Sequence, residues 1–123
     1  MIKILLVERN VILTDHLKTI FTQDKQLELV CICTEGNQAL EFLKDNIVNV
    51  VIMDFLQTNG LVVTQDIKHK FPHIKIIGFS SYENGDYNKR MIELGADKCL
   101  SKYETTISEL LDELKKVPII EKI

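Results

Sequence analysis

Apolar residues recur along the chain in two alternating rhythms. Short runs that are apolar at nearly every position lie at Ile2 to Val7, Leu27 to Cys33, Asn49 to Asp54, Ile74 to Phe79 and Cys99-Leu100. Such runs suit strands buried on both faces. Between them the spacing widens to three and four. Leu13, Leu17, Ile20 and Phe21 mark one helical face, with Asn10 as its expected cap. Ala39, Leu40, Phe42 and Leu43 point inward from a second helix over Glu35 to Asp45. A third helix follows Gly60 and stops near Lys70, ahead of Phe71-Pro72. Tyr87, Met91 and Leu94 define a fourth, with Gly95 as its stop. Ile107, Leu110, Leu111 and Leu114 form the stripe of a fifth, with Thr106 and Glu109 as a capping box.

Strict alternation of strand and helix predicts an α/β fold, a five-stranded parallel sheet in three doubly wound layers with right-handed crossovers. The third strand is the most uniformly apolar and reads as central, whereas the second carries Glu28 and reads as an edge. That favours the order 2-1-3-4-5, in which sites form at the carboxyl ends of the strands beside the switch point between strands one and three. Residues 1–117 make one domain in this reading, and 118–123 a tail or the start of a linker.

A length of 123 residues suits one domain with a real core. The net charge of −3 argues against a broad basic surface for nucleic acid. No apolar stretch reaches the length of about 18 residues that a membrane span needs, and no signal peptide is visible, so a cytoplasmic location is expected. Cys31, Cys33 and Cys99 are an odd set without framework spacing, which suits reduced core thiols.

Polar residues cluster where the strands end. Glu8-Arg9 follows the first run, Asp54 ends the third, Ser80-Ser81 follows the fourth and Lys102 follows the last. A carboxylate at the end of a buried strand is costly without a partner or a task. This ordered set resembles the receiver domain of bacterial two-component response regulators, over almost the whole chain. Lys75 to Tyr82 and Gly95 to Lys102 look especially like the NarL-type subgroup. The resemblance implies a flavodoxin-like, CheY-like (βα)5 fold and a signalling domain rather than an enzyme, with at most self-phosphorylation and autodephosphorylation. It makes Asp54 the phosphoacceptor, Ser80 the switch hydroxyl and Lys102 the phosphate contact. Glu8 and Arg9 fall at the acidic pair, Cys99 at the aromatic switch position, and Glu8, Asp54 and the Leu56 carbonyl where Mg²⁺ is held. The implied partners are a histidine kinase or other signalling protein and a second copy of the chain. DNA would be reached only through an output domain of a longer parent protein.

Three departures qualify the resemblance. Arg9 stands where an acid normally holds the metal, and it cannot ligate one. A guanidinium about 4 Å from a divalent ion at an effective dielectric of about 20 is repelled by about 8 kcal/mol. The expectation is therefore that Arg9 pairs with Asp54 and partly takes the metal's place, leaving Glu8, Arg9, Asp54 and Lys102 with no net charge. The loop from Asp54 to Gly60 is two residues short, and Cys99 cannot swing as an aromatic ring does. Together they favour an atypical receiver with impaired Mg²⁺-dependent phosphotransfer that acts through protein contacts. The alternative is a conventional receiver phosphorylated on Asp54. A flavin or dinucleotide site is disfavoured, since Glu8-Arg9-Asn10-Val11 is no phosphate loop. His16, His69 and His73 are expected on the surface, far from the strand ends. Tyr87, Lys89, Arg90 and the outer side of Ser108 to Lys116 are candidates for the output face.

Overall fold

In a computed structural model, which describes residues 1–55, 59–81 and 85–117, five strands alternate with five helices. They are β1 (Ile2–Val7), α1 (Val11–Gln23), β2 (Leu27–Cys33), α2 (Gly36–Asp45), β3 (Val50–Met53), α3 (Gly60–Lys70), β4 (Lys75–Ser80), α4 (Gly85–Glu93), β5 (Lys98–Ser101) and α5 (Ile107–Lys115). All strand pairs are parallel and the order is β2-β1-β3-β4-β5. The expected order and the edge position of β2 therefore hold.

The pleat of each strand sorts its residues between two cores. Leu5, Val7, Val51, Met53 and Ile76 pack with Ala39 and Leu43 of α2, Val63 and Ile67 of α3, and Met91 of α4. Ile4, Leu6, Val50, Ile52, Ile77 and Phe79 pack with Leu17 and Phe21 of α1 and with Leu110 and Leu114 of α5. A sheet sandwiched in this way needs apolar residues at consecutive positions, which is why the strands read as unbroken runs.

The helix boundaries follow local chemistry. Asn10 Oδ1 accepts from the Leu13 amide and caps α1, and Thr106 caps α5 with Glu109 completing the box. Gly95 takes φ +121°, a backbone that suits glycine after a helix. Glu35 turns out to be the cap residue of α2 rather than its first turn. β3 is shorter than expected at both ends. Asn49 instead accepts from the Lys3 amide at 2.8 Å, and Asp54 lies just past the strand. Ile107 does not join the inward stripe, because it opens α5 and faces solvent. The tail 118–123 lies outside the described residues. Among the described residues, no helix is long and apolar enough to cross a membrane.

Candidate functional site

The parallel ladder continues one residue past β1, β3 and β5 and sets the side chains that follow. Glu8 donates its amide to Cys33 O at 2.8 Å, Asp54 to Val7 O at 3.0 Å and Lys102 to Ser80 O at 2.9 Å. Glu8, Asp54 and Ser80 are thereby buried, with relative exposures of 2%, 3% and 4%. Lys102 Nζ lies 2.6 Å from Glu8 Oε1 and 3.4 Å from Asp54 Oδ2. The other Glu8 oxygen accepts from the Asn10 amide. Burial pushes the Glu8 carboxyl up, while its bonds from Lys102 and Asn10 pull it back and the Asp54 charge adds to the rise. The structure thus brings Glu8, Asp54 and Lys102 into contact, with Ser80 on the neighbouring strand end.

Arg9 departs from expectation. Its Nη2 pairs with Glu35, the cap residue of α2, and its Nε donates to Thr34 O at 3.4 Å. The expected pair with Asp54 does not form. Both choices lay open to a guanidinium leaving the end of β1, and the acid on the β2 side is solvent-facing, where an ion pair forms without stripping water from buried charge. The charge count changes with it. Arg9 and Glu35 neutralise each other, so Glu8, Asp54 and Lys102 carry −1, not zero.

Other residues sharpen the surroundings. A Cβ at Gly78 of β4 would stand 1.8 Å from Phe55 Cε2, so glycine there admits the ring that directly follows Asp54. Periodicity alone had not singled out Gly78, although a glycine inside a strand is itself a sign of close approach. Cys99 Sγ points at Asn88 O of α4, 3.9 Å away, and burial raises its thiol to about 11. Tyr87 of α4 is half-buried against the core, as its spacing with Met91 predicts and unlike a fully outward output-face residue, and its hydroxyl is pushed up by burial and then by the charge of Asp54. Lys89 and Arg90 are exposed as expected, and along Ser108 to Lys116 exposed positions alternate with the buried Leu110 and Leu114. His69 and His73 are exposed. His16 is exposed too but not remote, since it borders a cavity of about 430 Å³ with Glu8, Asp54, Lys102, Ile12 and Tyr103. Ser81 opens onto the same cavity. Cys31 and Cys33 are free thiols on one face of β2 with their sulfurs 3.5 Å apart.

The donor set can be tested against a hard divalent cation. Glu8 and Asp54 supply carboxylate oxygens, the ligands Mg²⁺ prefers. Among the described residues no group of three or more His, Cys, Asp or Glu side chains converges, so the site is one acid poorer than a three-carboxylate site. The Leu56 carbonyl, expected as a further ligand, lies outside the described residues. Two carboxylates and one ammonium leave a net attraction for a cation, but a reduced one.

The profile of the response regulator receiver domain matches residues 4–115. The chain is 29% identical over 109 residues to the transcriptional regulatory protein ComA of Bacillus subtilis, covering 84% of this chain and 50% of that one. It is 24% identical over 118 residues to the transcriptional regulatory protein DegU of Brevibacillus brevis, covering 94% and 50%. The chain thus spans about half the length of these relatives. The crystal structure of the response regulator domain of Thermotoga maritima CheB superposes with a TM-score of 0.81 at 21% identity, covering 94% of this chain and 95% of that one. At that identity the likeness speaks for the fold.

Proposed function

This chain belongs to the response regulator receiver domain family, and we propose that it takes a phosphoryl group on Asp54 with the help of Ser80 and Lys102. In this reading an Asp54 carboxylate oxygen attacks phosphorus, the bond from phosphorus to the donor's oxygen or nitrogen breaks, and the leaving group keeps the electron pair. Lys102 is a compact point charge suited to the phosphoryl oxygens, and Ser80 offers them a hydroxyl. Glu8 and Asp54 are the carboxylates that would hold Mg²⁺, which when bound neutralises charge on the transferring group. The observation that carries the reading is Lys102 joining two buried carboxylates at the ends of β1 and β3.

In this reading the site binds its metal more weakly than a three-acid site would. Metal affinity is reduced because one acid is missing and Lys102 already occupies a Glu8 oxygen, not because Arg9 fills the metal's place. The donor is a phosphohistidine on a kinase or a small acyl phosphate. The readout is a change of contacts to a partner or to an output segment of a longer protein. The relatives' designation as transcriptional regulatory proteins supports a DNA-binding output.

Incubation with acetyl phosphate and Mg²⁺ tests this by intact mass. One phosphoryl group should add to the wild-type chain and none to Asp54→Ala. No gain at saturating Mg²⁺, or the same gain in Asp54→Ala, would refute it and leave a receiver fold that acts by contacts alone.

A further inference from the structure

The pair of Arg9 and Glu35 stands at one flank of the site. β1 lies between β2 and β3, so a side chain leaving the end of β1 has a choice of neighbours. Arg9 leaves that end. On the β2 flank it finds Glu35 and the Thr34 carbonyl. On the β3 flank stands Asp54, whose amide bonds to Val7 O. The β2 flank is itself held in place, because Gln38 Oε1 accepts from the amides of both Thr34 and Glu35. Both of Arg9's acceptors therefore sit on a braced segment.

We infer that Glu35 is a positioning residue for the acidic site: it holds the Arg9 guanidinium on the β2 flank and so keeps a second cation from competing with a divalent ion for the Glu8 and Asp54 oxygens. The inference rests on the Asp54 reading above. With Arg9 on Glu35 the inner cluster carries −1. With Arg9 turned to Asp54 it carries zero, and the guanidinium repels the incoming ion. Half-exposed ion pairs hold only weakly, so loss of Glu35 releases Arg9 rather than unfolding the chain. Arg9, which by residue type alone abolishes a metal ligand, is thus made tolerable by a residue 26 positions away.

Calorimetric titration of Mg²⁺ into the whole chain tests this in wild type, Glu35→Gln, Glu35→Asp, Arg9→Ala and the double variant Arg9→Ala/Glu35→Gln, each checked for native circular dichroism. Glu35→Gln should weaken Mg²⁺ binding about three- to tenfold. Glu35→Asp should bind close to wild type, Arg9→Ala no more weakly than wild type, and the double variant like Arg9→Ala. Unchanged binding in Glu35→Gln overturns the inference alone. So does a double variant as weak as Glu35→Gln, since Arg9 would then carry none of the effect. A wild-type chain that takes up no Mg²⁺ overturns the inference together with the metal step of the proposed function.

Discussion

At the scale of single residues, the site is a lysine shared between two buried carboxylates, bounded by an arginine that faces the other way. Lys102 keeps Glu8 and Asp54 from repelling each other without relief. Packing beside it is as restrictive as the charge. Gly78→Ala should destabilise the chain by about 2–3 kcal/mol, because the added methyl collides with the Phe55 ring. Urea unfolding measures this, and phosphorylation should fall with it, since Phe55 adjoins Asp54. Thr64 offers the opposite case. Its hydroxyl is buried with no hydrogen-bond partner among the described residues. Thr64→Val should therefore raise stability by about 1 kcal/mol in the same assay. The positions of Glu8, Asp54, Ser80 and Lys102 at strand ends were legible because an unbroken apolar run shows where a buried strand stops. The direction of Arg9 was not. Two acids competed for it, and the winning one, Glu35, looked like the first turn of a helix.

At the scale of elements, α5 is tied to the sheet by charge as well as by its apolar stripe. Lys75 opens β4 and reaches Glu113 of α5, with Nζ 2.6 Å from Oε2 and 3.1 Å from the backbone oxygen. Both side chains are mostly buried. The bond from Lys75 holds the Glu113 carboxyl below the usual carboxylate range. The unfolded chain then binds a proton at Glu113 before the native chain does, so this contribution is complete above the ordinary carboxylate range and is lost as pH falls. Glu113→Gln should cost about 2 kcal/mol at neutral pH and less as the solution is acidified. Unfolding midpoints compared at pH 7 and pH 3 check this, and an equal loss at both would contradict it. The elements themselves were readable from caps and periods, as Asn10, Thr106 and Gly95 illustrate. The ends of β3 and the outward turn of Ile107 share a cause. Asn49, Asp54 and Ile107 each sit where a side-chain bond or solvent, not the repeat, ends the element.

At the scale of the whole molecule, the sheet order places the ends of β1 and β3 side by side and gathers β4 and β5 next to them. Four polar positions scattered over nearly a hundred residues thereby meet at one edge. That gathering was foreseeable from strict strand–helix alternation, and the packing of Tyr87 against the core from its spacing with Met91, whereas the place of His16 beside the site depended on helix rotation that no short motif records. The central claim is that Asp54 accepts the phosphoryl group, and borohydride trapping tests it most directly. An acyl phosphate on an aspartate is reduced to homoserine, whereas a free carboxylate is not. After treatment with acetyl phosphate and Mg²⁺, peptide mass mapping should find homoserine at position 54. Unreduced aspartate at 54, with or without a label elsewhere in the chain, would contradict the account.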